Sequence, residues 1–340
     1  MNSRRTTILA TLAILLVLTV ICIFLDLSWV SSSKSYSFIE VWEAILGNGS
    51  WGSNKIVREI NATRVVIGIF VGAGLAVAGT AMQAVFRNPL ASPYILGLSS
   101  GASVGAALSM LFVIPFIPAM IVTPFMAFVL CFATMILVYS MARVGGTVRT
   151  ETLILSGVAV SSLLSAVVSF LTFISGDKLE GIVFWTMGSL GNVSWEEIAF
   201  VAPIIFVCSI ILIMQAKPLN AMMLGDIHAM DLGIDVKKTR LTVLIFTTII
   251  VAAAVAFVGV IGFIGLVIPH MLRIILGPDN RVIMPMGMIA GAAFLVICDY
   301  LTHIVAAQYG VLPIGVVTAL IGAPVFIYLL LRRKKEVGWN

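Results

Sequence analysis

The chain has 340 residues, of which 61% are hydrophobic and only 10% charged, and its mean hydropathy is +1.15. Soluble domains carry about 25% charged residues, so a water-soluble globule is excluded and the chain reads as an all-α, polytopic membrane protein. The net charge of +5 is no nucleic-acid footprint, because in such a protein basic residues record which loops stayed in the cytoplasm.

A helix needs about 20 apolar residues to cross the hydrocarbon. The first such run, 7–25, follows Arg4 and Arg5. It is longer than a signal-peptide core and shows no small-residue cleavage site before Asp26, so a retained first helix is expected. Residues 26–64 form an outer segment, with turn formers at 31–33 and 47–52 and an amphipathic piece around SFIEVWEAIL. Spans are predicted at 65–86, 94–113, 119–142, 152–174 and 198–216, and later at 282–305 and 312–331. Between the fifth and sixth, the outer segment 175–197 carries GIVFWTMGSL, ten residues that suit a re-entrant or interfacial helix rather than a crossing. Residues 217–240 make the main cytoplasmic loop.

The run 241–272 is too long for one ordinary span, and Gly259, Gly262, Gly265 and Pro269 interrupt its second half. Loop charge decides how often it crosses. Two crossings give ten helices with both termini cytoplasmic. That places Arg4, Arg5, Arg87, Arg143, Arg149, Lys217, Lys237, Lys238, Arg240, Arg273, Arg281, Arg332, Arg333, Lys334 and Lys335 inside, 15 of the 20 Lys and Arg. Only Lys34, Lys55, Arg58, Arg64 and Lys178 remain outside. A single crossing would turn the basic tail outward, against the positive-inside bias. Two crossings are therefore predicted, the second one short.

Cys22, Cys131, Cys208 and Cys298 each lie within apolar runs and read as small buried hydrophobes, so neither a disulfide framework nor a metal site is expected. The chain has no G-x-x-x-x-G-K-[ST] phosphate loop with which to hold ATP. Its helix interiors are almost bare of the ionisable relays that proton- or sodium-driven transporters keep. Asp299 and His303, one turn apart, are the exceptions. These features point to a membrane pathway powered by something else. A secondary transporter using Asp299 and His303 as a proton relay is the alternative.

In RNPLASPYILGLSSGAS, residues 87–103, Pro89 and Pro93 force a tight inner turn. Gly97, Gly101 and Gly105 then recur every four residues, with Ser99, Ser100 and Ser103 beside them. Small residues at this spacing let helix backbones approach closely in lipid. The stripe serves close packing, the border of a translocation path, or both, and Gly68, Gly72, Gly74, Gly79, Thr80 and Gln83 suggest the same for the second helix. In the cytoplasmic loop, Leu224, Met230 and Leu232 mix with Asp226, His228 and Asp231, a pattern suited to docking in a cleft of a soluble partner.

FRNPLASPYILGLSSGAS, LGDIHAMDLG, GFIGLVIPHMLRIILGPDNR and LPIGVVTALIGAPVFIYLL together resemble the permease subunits of ABC importers for iron–siderophore, haem and cobalamin uptake. The resemblance runs in order from about residue 60 to 331 and implies a single ten-helix permease domain over 1–340. It further implies a complex with a second permease, identical or paralogous, two ATPase subunits that hold ATP and Mg, and an extracytoplasmic substrate-binding protein. The permease itself would be no enzyme and bind no cofactor. The family's L-G-[DE]-x-x-A-x-x-L-G motif, which contacts the ATPase, matches Leu224, Gly225, Asp226, Ala229, Leu232 and Gly233.

The resemblance also implies docking arginines before the second and in the ninth helix. The sequence departs there. Asn61, Ala62, Thr63 and Arg64 stand where Arg-Leu-Pro-Arg is usual, and Asp299 is followed by His303 instead of arginine. Docking is expected to rest on Arg64, with Asn61, Arg58 and His303 around it. A histidine with a reference pKa of about 6.5 would make that docking stronger in acid. A ferric siderophore is the first expectation for the cargo, ahead of haem and cobalamin, because it is the commonest in the family.

Overall fold

The computed structural model describes residues 2–31, 34–112, 118–144 and 147–337. Helix α1 (Asn2–Ser28) leads into a hairpin of β1 (Trp29–Ser31) and β2 (Lys34–Ser35). Helix α2 (Phe38–Leu46) is the amphipathic piece of the first outer segment. A capping box of Ser37 and Glu40 starts it, and left-handed Gly47 ends it. Helix α3 (Trp51–Lys55) passes through one π-helical turn, Ile56–Asn61, into α4 (Ala62–Phe86). The second span therefore belongs to a 36-residue rod that reaches well back into the expected outer segment. Turn residues 32–33 of that segment lie outside the described residues.

After α4 the chain reverses at Arg87, whose φ of 50° is left-handed. A 3-10 turn, Pro93–Leu96, is capped by Ser92, and Gly97 follows with φ 76°. Helix α5 (Leu98–Leu111) starts only after this glycine. The predicted continuous helix over 94–113 is thus broken in its first turn, and Val113 lies outside the described residues. Next come α6 (Ala119–Ala142), a hairpin of β3 (Arg143–Val144) and β4 (Thr147–Val148), and α7 (Thr150–Phe173). The ten-residue apolar motif forms a short helix, α8 (Leu179–Met187). Helix α9 (Trp195–Met214) opens with a second capping box, Ser194 with Glu197.

Two short helices, α10 (Ala216–Met222) and α11 (Asp226–Asp231), fill the loop before α12 (Val236–Val258). The ambiguous run then divides as loop charge requires: α12, an extended link, and the 13-residue α13 (Ile264–Leu276). Helices α14 (Asn280–Tyr309) and α15 (Ile314–Val337) complete the bundle. Among the described residues, seven helices are long and apolar enough to span a bilayer, and α5, α13 and the stretch Ile314–Leu329 of α15 supply the shorter apolar helices of a fold of about ten membrane helices.

Helix α4 is the axis of this bundle. Its apolar window is 83% buried against α9, α12, α13 and α14, whereas that of α1 is 6% buried on the rim. Glycine makes this closeness possible. A Cβ on Gly72 would strike the backbone of Gly291 in α14, and one on Gly79 the backbone of Gly265 in α13. In lipid, such backbone contact supplies the dispersion energy that hydrophobicity cannot provide.

Candidate functional site

Helix α4 carries Arg64 in its first turn and is followed by Arg87 after its last, about 35 Å apart at 1.5 Å per residue. Polar side chains gather near both ends. At the Arg87 end, Gly225 with φ 123° and Gly233 with φ 79° bracket α11. Ala229 is fully buried and seats the helix. Asp226 of the expected coupling set faces inward. It accepts from Arg240 Nη2 at 2.8 Å and lies 3.8 Å from Arg87, while Arg240 also donates to Val148 O at 2.6 Å. The carboxylate thus ties α11 to α12 and to the reversal after α4, and Arg240 extends the tie to the β3–β4 hairpin.

Around this carboxylate the surface of the helical pair is apolar and open. Leu224 is 69% exposed, Ile227 71%, Met230 55% and Leu232 66%. Scattered exposed hydrophobics need no explanation, but four within nine residues, on and beside a short helix, suit an interaction surface. Sequence reasoning missed Ile227 and counted Arg240 only as a loop charge. The spacing of Leu224, Ile227 and Met230, three residues apart, was the signal for the first. The second is visible only in three dimensions.

At the other end the expected docking residues turn inward. Arg64 donates from Nε and Nη2 to both oxygens of Asp299, at 2.8 and 2.7 Å, and Asp299 is fully buried. Buried Asn61 donates to Leu27 O at 3.1 Å and Trp29 O at 2.8 Å, pinning the end of α1. His303 stacks on Trp29 and places Nε2 3.3 Å from Asp26 and 3.7 Å from Asp299. The contact to Asp26 is not an aligned hydrogen bond, and both Asp26 oxygens lack a hydrogen-bond partner. Only Arg58 faces solvent, beside a cleft of about 400 Å³ lined by Trp51, Asn54, Lys55, Glu59 and Trp195.

Asp26, Asp299 and His303 bring three ligand atoms within 4.8 Å of one another. A divalent ion there would sit beside the Arg64 guanidinium and leave a positive excess on two carboxylates. The proton-relay alternative fares no better, since Asp299 is committed to Arg64 rather than lining an open channel.

Between the two ends, the glycine stripe is accounted for by packing. Gly101 abuts Leu130 and Thr134, and Gly105 abuts Met126 and Ala127, all on α6. Gly97 faces Ser161 from its left-handed turn. Buried Gln83 donates to Leu266 O at 3.1 Å, so it bonds α13 rather than lining a void. Ser100 is different: half-buried, its hydroxyl lies 3.3 Å from Ser165 of α7. Non-helical backbone occurs within the bundle at Gly188 and at 259–263. Ser189 N donates to Val258 O at 2.8 Å, Ile314 N to Gly188 O at 3.1 Å, and Tyr94 Oη to Ile261 O at 2.8 Å. A cavity of about 540 Å³ adjoins these breaks, lined by Met110, Phe184, Trp185, Asn192 and Phe257 among others. At membrane depth, irregular backbone is tolerated only where protein or a water-filled cavity covers it.

Residues 16–332 match the model of the FecCD transport family. The chain belongs to that family. It is 42% identical to the cobalamin import system permease protein BtuC of Halobacterium salinarum, over 83% of this chain and 74% of that one. It is 37% identical to the hemin transport system permease protein HmuU of Yersinia pestis, over 89% and 90%. An ABC transporter of the proposed metal-chelate type, solved in an inward-facing conformation, superposes with a TM-score of 0.82 at 31% identity, covering 94% of this chain and 97% of that one. This FecCD-family chain is accordingly an ABC permease subunit, a transport component rather than a catalytic one.

Proposed function

We propose that the chain forms the membrane pathway of an ATP-driven importer for a metal chelate, haem or corrinoid. The observation that carries this reading is the open apolar face of Leu224, Ile227, Met230 and Leu232, set on a helix that Asp226 locks into the bundle. Such a face suits a groove on a separate ATPase, which holds ATP and Mg. That end of the bundle lies in the cytoplasm with both termini, in keeping with the positive-inside distribution of Lys and Arg.

The substrate-binding protein docks at the other end. There Arg58 offers the free charge, and Arg64, Asn61 and His303 shape the platform from within. Helix α7 exposes most of its length, only 17% of its window being buried, and presents Ser162, Ser165 and Ser169 on that open side next to Ser100. Hydroxyls gain little from facing lipid. The second permease therefore packs near this face, and the hydroxyls line the shared path.

An iron siderophore remains the first choice of cargo, with haem and cobalamin, the substrates named for the two relatives, beside it. Uptake of the three labelled cargoes in cells with and without the gene tests the proposal. Loss of one cargo identifies it, whereas unchanged uptake of all three would contradict the reading.

A further inference from the structure

The motif GFIGLVIPHMLRIILGPDNR contains polar residues that neither the docking face nor the path uses. They converge on the short helix next to the docking face. Asn220 of α10 donates from Nδ2 to Asp279 Oδ1 at 2.7 Å and accepts from the backbone N–H of Asn280 at 2.9 Å. One amide thereby holds the first residues of α14 through both its donor and its acceptor. Asn280 is fully buried, and its Oδ1 accepts from Arg273 Nη2 at 2.9 Å. Arg273, in the last turn of α13, also reaches Pro278 O at 3.2 Å, Gln83 Oε1 at 3.4 Å and Thr80 O at 3.4 Å on α4. Met223, just after α10, places its sulfur 3.4 Å from Asn280 Nδ2 and 3.8 Å from Arg273 Nη1.

We infer that Asn220, Asp279, Asn280 and Arg273 form a knot that transmits movement of the ATPase-docking helices to α13, α14 and α4, and that Asn220 is its positioning residue. The inference rests on the importer reading above. Its physical basis is that displacement of α10 cannot be absorbed locally. The α10–α14 joint is made of directional hydrogen bonds around a buried amide, which are costly to leave unmade. Helix α14, 30 residues long, then carries the connection to the Asp299 end. One rigid element joins the two ends of the molecule, the contiguous connection that coupling between distant sites can use. The carboxylate–amide pairing is also directional in charge: Asn220→Asp would set two carboxylates against each other where one now receives a donor.

The test uses the complete complex in liposomes, with uptake and ATP hydrolysis measured on one preparation and thermal unfolding as a control. Asn220→Asp is expected to lower uptake about tenfold or more, the loss that one broken, partly buried hydrogen bond to a charged group can cause. Hydrolysis should remain within about twofold of the parent, which a broken joint beyond the docking face allows. The exchange of Asn220→Asp together with Asp279→Asn restores a donor facing an acceptor and should recover most of the uptake. Uptake and hydrolysis falling in parallel would overturn the inference by showing that the knot only seats the ATPase. Unchanged uptake, or no recovery in the exchange, would overturn it as well. A parent complex without ATP-dependent uptake would instead contradict the importer reading itself.

Discussion

Arg64 and Asp299 show how one contact can redefine a residue. The position of Arg64 before the second span suggested a surface charge, but its fork closes on a fully buried carboxylate 235 positions away in sequence. Removing one partner of a buried pair strands the other, at a cost of roughly 3–5 kcal/mol, while replacing both by apolar groups costs much less. Arg64→Ala is therefore expected to lower the thermal midpoint in detergent strongly, and Arg64→Met with Asp299→Leu to recover most of it. An Arg64→Ala protein as stable as the parent would show that the pair is not structural. Asp279 offers a prediction in pH. The hydrogen bond from Arg281, with help from Asn220, holds its carboxyl well below the usual carboxylate range. A depressed folded value contributes stability above the unfolded pKa of about 3.9 and loses it as pH falls through the folded value. The α10–α14 tie should thus hold unchanged from about pH 5 to 8 and weaken only below about pH 4. Thermal midpoints measured across that range should show the acid loss in the parent and a smaller one in Asp279→Asn.

Among the elements, those fixed by charge and hydropathy were legible and those fixed by backbone geometry were not. Loop charge separated α12 from α13 because an unpaired crossing would have turned the basic tail outward. It could not show that α5 starts after Gly97, since that break depends on a left-handed residue and a 3-10 turn inside an apolar run. Asp26 escaped notice because only the packing of α1 on α14 brings it to His303. Helix α11 was the most readable piece of the candidate site, its apolar spacing and bracketing glycines being local. Helix approach is likewise testable at single positions. Gly79→Ala would push a methyl into the backbone of Gly265, and overpacking of this kind costs about 1–3 kcal/mol. Gly262→Ala meets nothing within 4 Å and should be near neutral. Equal midpoints for the two variants in thermal unfolding would contradict the close α4–α13 packing.

At the scale of the whole molecule, the chain carries an exposed apolar segment at one end and a charge cluster at the other, joined by helices packed backbone to backbone. As an ABC permease subunit it belongs to a family that implies ATPase and binding-protein partners. Ile227→Glu combined with Leu232→Glu places two charges on the exposed apolar face without touching buried Ala229. The variant should keep its thermal midpoint but fail to co-purify with the ATPase, and a complex that still forms would remove α11 from the interface. The most direct measurement of the central claim is cargo uptake into liposomes holding the complete complex, with the binding protein supplied outside. ATP inside, a phosphate-loop lysine variant of the ATPase, and a protonophore form its three arms. The importer account predicts uptake that requires the intact ATPase and ignores the protonophore. Uptake that survives the ATPase variant and collapses with the protonophore would contradict it.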